Sequence, residues 1–511
     1  MLASVNGFVM SVCLAIFSGF IVSFIIEYCL EPKIESVWRR PIRTVFIHFS
    51  LWLFFYVLIF LIVRRTWFAM IIELAVLLLI VQVSNAKYHS LREPFIFQDI
   101  EYFTDAIKYP RLYLPFLGVG RALIIGLGFG LALYIGLTLE SAVTDQLAWF
   151  QVVITAMSVG LVSVFILWLS SKQSLLLTFN PATDLNRIGL LACLWRYYQE
   201  ENHIPLIISD LMKDSNKTPA LEALPHVVVV QSESFFDVRR LFMGIKPEVL
   251  QEFDALKQAA MHYGQLQVSA WGANTVRTEF AFLSGLPVSA LGVHQFNPYR
   301  KLAQQGIPSI ASVLKKLGYR TVCIHPYHAS FYNRDQVMPK LGFDEFIDIK
   351  AFKGIENTGP YIGDVEVAKK VSALLDDGST QPLFVFVITM ENHGPLHLEK
   401  VGKGEVGQFY ATPPPENCED LTLYLRHLHH ADLMVGMLRK KLQSLSRPSG
   451  LCWYGDHVPI MPTVYQQLGE PEGQTDYVIW KSHYRSDSSL SHQDLKVESL
   501  SGLLLKAMGL L

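Results

Sequence analysis

Charge is scarce in this sequence. Only 17% of its 511 residues are Asp, Glu, Lys or Arg, against 51% apolar, a balance far from that of an ordinary soluble domain. The net charge is −2 and no long basic run occurs, so nothing points to nucleic-acid binding. Cysteine is scarce too. Cys13, Cys29, Cys193, Cys323, Cys418 and Cys452 are never in CxxC spacing, which argues against a zinc ribbon or a thioredoxin-type site. Cys418 and Cys452 are able to pair in an oxidising compartment, and sequence alone does not decide it. No internal repeat is present. The first apolar run has no charged segment before it and no small-residue cleavage site after it, so it reads as an anchor and not as a removed signal peptide.

The apolar excess is concentrated in the first ~175 residues. Five runs near the ~20 residues that cross hydrocarbon are expected to be transmembrane helices, at residues 8–26, 44–63, 66–85, 122–139 and 147–171. Lys and Arg collect in the first and third connections (Lys33, Arg39, Arg40, Arg43, Lys87, Arg92, Lys108, Arg111, Arg121), whereas the second has only Arg64 and Arg65 and the fourth has none. The positive-inside rule assigns the odd connections, and with five spans the C-terminal part, to the cytoplasm. Glu73, inside the third run, is expected to pair with Arg64, Arg65 or His48. The polar third connection is expected to lie along the interface, with Tyr102, Phe103 and Tyr109 in the headgroup layer. Residues 185–198 mix apolar and basic side chains at helical spacing, which suggests an amphipathic connector on the membrane surface. The expected organisation is therefore a transmembrane anchor over 1–175, a juxtamembrane connector over 176–220 and a catalytic domain over 221–511.

From about residue 221 short β-rich runs alternate with helical patterns, as in an α/β sheet. Strands are expected at 226–231, 321–324, 383–389, 451–454 and 477–480, and helices at 279–284, 310–317, 364–375 and 421–445. The first four strands each end in polar residues: Ser232-Glu233-Ser234, His325-Pro326-Tyr327-His328, Glu391-Asn392-His393-Gly394-Pro395 and Gly455-Asp456-His457. Open α/β sheets build sites at the carboxyl ends of their strands.

Glu233, Asp456 and His457 form a hard-to-borderline donor set suited to Mn²⁺, Mg²⁺ or Zn²⁺. Thr275, in Asn274-Thr275-Val276-Arg277-Thr278-Glu279-Phe280, stands at the start of a helical pattern, where unpaired N–H groups welcome an anion. Its alkoxide completes a tetrahedral shell and, activated by the metal, attacks phosphorus. The plainer alternatives are an N-cap for Thr275 or Asn274, a surface carboxylate for Glu233 and a simple turn for Asp456-His457. Taken jointly, the four motifs favour a nucleophile with its metal. His393 is placed to donate to a phosphate oxygen or to protonate a leaving alkoxide. Arg334 offers a phosphate fork, or else a surface pair with Asp335. His427, His429 and His430 lack strand-end placement and read as structural, with His427 and His430 on one helix face.

These motifs, in this order over residues 225–460, resemble the lipoteichoic acid synthase and phosphoglycerol transferase family of the alkaline phosphatase and sulfatase superfamily. The resemblance implies a five-helix transmembrane bundle followed by a sulfatase-like α/β domain facing outward from the cytoplasmic membrane, in conflict with the loop charges. It implies that Thr275 takes phosphoglycerol from phosphatidylglycerol and passes it to an envelope glycan or polymer. It further implies metal ligands Glu233, Thr275, Asp456 and His457, one divalent ion with Mn²⁺ foremost, His393 at the reacting atoms, and headgroup contacts from His325, Tyr332, Asn333 and Arg334. Tyr332 stands where such enzymes often carry Trp, and Ala273 where Gly is common. The rivals are a phosphoethanolamine transferase, a sulfatase or a phosphodiesterase of the same superfamily, and a non-catalytic envelope-organising membrane protein. A sulfatase nucleophile in a C/S-x-P-x-R setting is absent.

Overall fold

In the computed structural model, described for residues 2–101, 119–145, 147–172, 175–205, 209, 211, 221, 223–355, 359–483 and 491–511, the chain forms two compact units, Met1–His203 and Ile204–Leu511. The first holds α1 (Leu2–Glu27), α2 (Ile42–Val63), α3 (Thr66–Leu91), α4 (Val119–Leu139), α5 (Trp149–Ser171), α6 (Pro181–Ile188) and α7 (Leu190–Glu200). Among the described residues, five stretches are long and apolar enough to cross a membrane: Gly7–Glu27, Ile42–Val63, Thr66–Leu91, Gly126–Asp145 and Trp149–Ser171. The third runs past the expected end at Asn85 because Lys87 continues the helix with its ammonium held by Glu93 and Asp99, each at 2.6 Å.

Two expectations for this unit need correcting. Glu73 is buried, and its Oε2 has no hydrogen-bond partner. Two of its three expected partners are engaged elsewhere: His48 meets Ser23 and Glu27, and Arg65 donates to the carbonyls of Glu140, Leu137 and Val63. The connector is two helices, not one. They break at Gly189, whose φ of +78° and ψ of 169° lie in a region that essentially only glycine adopts. A Cβ there would come within 2.1 Å of Arg40 Nη1. The α7 residues Leu190, Ala192, Cys193 and Tyr197 are buried, and the Tyr197 carbonyl accepts from Gln98 at 3.3 Å. Tyr102, Phe103, Tyr109, Lys108, Arg111 and the Arg121 side chain lie outside the described residues.

The second unit is a mixed α/β sheet domain. Its strands are β1 (His226–Ser232), β2 (His262–Gln267), β3 (Arg320–Ile324), β4 (Glu345–Ile347), β5 (Leu383–Ile388), β6 (Ser449–Gly455), β7 (Thr475–Lys481), β8 (Ser491–His492) and β9 (Leu495–Lys496). The order is β4-β3-β5-β1-β6-β7-β2-β8, with β9 on β2. The block from β4 to β6 is parallel, while β7 runs antiparallel to both β6 and β2. Helices α8 (Gln251–Gln258), α9 (Thr275–Ser284), α10 (Ile310–Lys316), α11 (Arg334–Lys340), α12 (Asp364–Leu375), α13 (Glu405–Phe409), α14 (Glu419–Ser444), α15 (Pro462–Leu468) and α16 (Val497–Ala507) complete it.

Strand β1 is buried along its whole length, as a strand covered on both faces must be. Val228 and Val230 join the core with residues of α12 and α14. Val227 and Val229 join the opposite core with residues of α9 and α16. Because β3, β5, β1 and β6 are parallel, with Ser232 in register with Gly455 and Gln231 with Ile388, their carboxyl ends open on one edge. Strands β2, β4, β8 and β9, at the two ends of the sheet order, escaped the sequence reading, since they are short or lack a continuous apolar run. Cys418 and Cys452 are free.

Candidate active site

Glu233 follows β1, and Asp456 and His457 follow β6. All three are buried, and their ligand atoms lie within 4.8 Å of one another. Thr275 opens α9, with its Oγ1 3.5 Å from Glu233 Oε2. The residue before it, Asn274, has φ +66° and makes no side-chain cap. The capping alternative thus fails for Asn274, and the first turn is left open toward the site. Left-handed backbone at non-glycine residues recurs at Ser234, Tyr332 and Asn333. Three of the loops that carry the expected site residues therefore store strain of the kind found at functional sites.

The supporting contacts fix each donor. The Ser234 amide donates to Asp456 Oδ1 at 2.8 Å, and the Ser234 hydroxyl to Glu233 Oε1 at 3.0 Å. Thr278, one helical turn beyond the start of α9, donates to the Asp456 carbonyl at 2.8 Å. His457 Nδ1 faces the Val458 carbonyl at 3.1 Å, which assigns the proton to that nitrogen. Its Nε2 lone pair then stands 3.4 Å from Asp456 Oδ2 and 3.5 Å from Glu233 Oε1. Neither His457 Nε2 nor Asp456 Oδ2 has a hydrogen-bond partner. A lone pair confronting two buried carboxylates is repulsive unless a cation, or a proton on Nε2, sits between them. Burial and the Asp456 charge also push the Glu233 carboxyl up to about 8. The residues present fit a divalent cation.

Beside this group His325, Arg334 and Glu279 form a second buried cluster. Arg334 donates from Nε and Nη2 to the two Glu279 oxygens at 3.2 and 2.8 Å. It does not pair with Asp335. Its Nη1 meets His325 Nε2 at 3.2 Å, and His325 Nδ1 meets the Ile388 carbonyl at 3.1 Å. Burial and Arg334 hold His325 well below the usual imidazole range, so it is neutral. Tyr332 stacks under Arg334, with 5.2 Å from ring centroid to guanidinium carbon. Asn333 is exposed and enters through its left-handed backbone at the start of α11. His393 Nδ1 meets the Gly394 carbonyl at 2.6 Å, and burial lowers its pKa. In the resting state its Nε2 is therefore an unprotonated acceptor. Rings of His325, Tyr327, Tyr361 and His393 follow one another at 5.6 to 6.3 Å.

The family model described as Sulfatase matches residues 225–510, more than half of the chain. The chain belongs to the sulfatase family. Within the alkaline phosphatase superfamily, this sulfatase-family chain is similar to the capsular polysaccharide biosynthesis protein RkpI of Rhizobium meliloti (strain 1021), 29% identical over 416 residues, 78% of this chain and 74% of that protein. It is similar to the lipoteichoic acid synthase of Staphylococcus aureus (strain USA300), 30% identical over 189 residues. That match covers 35% of this chain and only 26% of the synthase. The integral membrane lipooligosaccharide phosphoethanolamine transferase A (EptA) of Neisseria meningitidis has the same overall architecture. Its TM-score is 0.56 at 14% identity, over 97% of this chain and 95% of that one. The sulfatase-family fold thus carries its bundle of apolar helices on the same chain.

Glu279, Tyr299, Ser234, Tyr327 and Tyr361 were not singled out as site residues from sequence. The signal for Glu279 was present: a carboxylate four residues after Thr275, on the same helix face, in a helix otherwise buried throughout. His427 and His430 do share a face of α14. They bind Glu399 at 3.2 Å and Glu391 at 2.5 Å, clamping the loop that carries His393.

Proposed function

We propose that this protein is a membrane-anchored, metal-dependent phosphoglycerol transferase that works through a phosphothreonine on Thr275. Glu233, Asp456, His457 and the Thr275 oxygen would hold one divalent cation, Mn²⁺ foremost and Mg²⁺ or Zn²⁺ as alternatives. When bound, that ion lowers the hydroxyl pKa of Thr275 and neutralises charge on the transferring phosphoryl group. The observation that carries the reading is the Thr275 hydroxyl 3.5 Å from Glu233, at the open end of α9 and beside the orphaned Asp456 and His457 atoms.

In the first half-reaction Thr275 Oγ1 bonds to the phosphorus of phosphatidylglycerol, and the bond from phosphorus to the diacylglycerol oxygen breaks. The proton lost by Thr275 ends on the diacylglycerol hydroxyl. In the second, an acceptor hydroxyl attacks phosphorus, the Thr275 oxygen leaves, and the proton travels from acceptor to Thr275. His393 Nε2, unprotonated at rest, carries the proton each way. The likeness to a capsular polysaccharide biosynthesis protein supports a surface glycan as acceptor.

The chemistry of the headgroup wall favours glycerol over ethanolamine. Of the five guanidinium N–H groups of Arg334, two go to Glu279 and one to His325, which leaves two donors. Glycerol hydroxyls accept from donors, whereas an ammonium cannot and is repelled by the guanidinium. The carboxylate of this wall, Glu279, is occupied by Arg334 and Tyr299. We therefore place the active site on the outer face of the cytoplasmic membrane, where donor lipid and envelope glycan meet.

The test is covalent trapping. The full chain, reconstituted in vesicles containing phosphatidylglycerol labelled in its headgroup, is expected to carry the label on the peptide holding Thr275. Thr275→Ala is expected to lose both trapping and turnover by about 10³-fold or more. Label retained by Thr275→Ala would remove the nucleophile assignment, and trapping from phosphatidylethanolamine instead would remove the donor.

A further inference from the structure

The relay that starts at Glu279 crosses three separate loops. Glu279 sits on α9, one turn past Thr275, with no exposed surface. Its carboxylate accepts three hydrogen bonds: two from Arg334 at 3.2 and 2.8 Å and one from the Tyr299 hydroxyl at 2.6 Å. Arg334 is 1% exposed and opens α11. Through Nη1 it reaches His325 after β3, and His325 reaches the last carbonyl of β5, that of Ile388. Every long side chain in this line is locked at both ends.

We infer that Glu279 is a positioning residue for the headgroup site, tying Arg334 and His325 to the helix that carries the nucleophile. This rests on the phosphoglycerol reading. Planarity is the physical reason. A bidentate carboxylate on the Nε–Nη2 edge fixes the guanidinium plane, and with it the directions of the two remaining N–H groups. Because Thr275 and Glu279 share a face of one rigid helix, headgroup and nucleophile keep a fixed separation, and binding energy on the headgroup holds phosphorus in line with Thr275. Tyr299, held by Phe280 at 6.3 Å between rings, blocks rotation of the carboxylate.

The experiment uses the full chain in vesicles with two substrates: phosphatidylglycerol, and p-nitrophenyl phosphate, which has no glycerol. Glu279→Gln is expected to raise the KM for phosphatidylglycerol about tenfold or more and to lower kcat, since small misplacements carry large penalties. The fall in kcat/KM is expected to be at least about threefold larger for phosphatidylglycerol than for p-nitrophenyl phosphate. Glu279→Asp restores the charge and is expected to recover part of the loss. Tyr299→Phe removes one hydroxyl, keeps the charge pair and is expected to raise the same KM by about two- to fivefold, so the role remains testable if Glu279→Gln fails to fold. An unchanged KM for phosphatidylglycerol in Tyr299→Phe and Glu279→Asp, or an equal fall on both substrates, overturns the inference. A parent protein that turns over p-nitrophenyl phosphate but not phosphatidylglycerol overturns the donor reading instead, and this role with it.

Discussion

His457 shows how one residue makes a binding site legible. Its Nδ1 proton is committed to a carbonyl 3.1 Å away, so Nε2 has only its lone pair to offer to two carboxylates. With neither a cation nor a second ring proton this is a buried electrostatic fault. A bound cation removes it and stabilises the fold by linkage, about 2.7 kcal/mol at a hundredfold excess over Kd. Asp456→Asn is expected to lower bound metal well below one ion per chain by elemental analysis, and to melt at the same temperature with and without chelator. The parent protein should melt lower with chelator, and a parent indifferent to chelation would remove the metal site. At this scale the sequence was readable wherever a polar residue interrupts an apolar strand, as at Glu233 and Asp456. At Glu279 the spacing from Thr275 was visible but not its meaning, because a carboxylate in mid-helix looks like a solvated face until its partner from another loop is known, and at Tyr299 the sequence was silent.

Among the elements, α14 has a role that periodicity only half revealed. The spacing placed His427 and His430 on one face, but not what that face holds. His430 Nδ1 lies 2.5 Å from Glu391, whose other oxygen accepts from the Asp364 amide at 2.6 Å, so α14 and α12 grip the turn leading to His393. The hydrogen bond to Glu391 raises the His430 pKa, aided by Glu391 and Glu405 and opposed by burial and Arg426. His429, its neighbour on α14, is itself lowered by burial. A folded pKa above the ordinary imidazole value of about 6.5 means that this stabilisation is complete below that pH and is lost as pH rises through the raised value. Amide exchange in the 390–398 segment should therefore quicken, beyond its intrinsic pH dependence, as the medium moves from mildly acidic to alkaline. His430→Gln should exchange quickly at every pH. A parent segment with no such excess would show that the clamp does not titrate. The connector yields a similar lesson. Its amphipathic pattern was visible, but the break at Gly189 depends on Arg40 and Glu27, residues about 150 positions earlier, and no local window contains them.

For the whole molecule the fold class was legible because hydropathy separates the two halves and parallel strands leave continuous apolar runs. Orientation was not, since the loop charges and the implied outward-facing chemistry disagree. The folded first unit weakens the charge argument. Arg40 is bound to Glu27 at 2.7 Å and Lys87 to Glu93 and Asp99, so these cations are consumed inside the bundle and are poorer reporters of side than free loop charges are. On the five-span expectation, four crossings lie between the connection after α1 and the second unit, so the expectation puts that connection and the candidate site on one face of the membrane. Cys29 tests which face. It is exposed just past the end of α1, Cys13 is exposed within that apolar helix, and Cys193, Cys323, Cys418 and Cys452 are buried. The outward reading predicts that a membrane-impermeant maleimide labels Cys29 in intact spheroplasts as fully as after lysis, and that Cys29→Ser abolishes this labelling. Labelling only after lysis would put the site in the cytoplasm, away from any surface glycan, and would replace the acceptor while leaving the Thr275 chemistry standing.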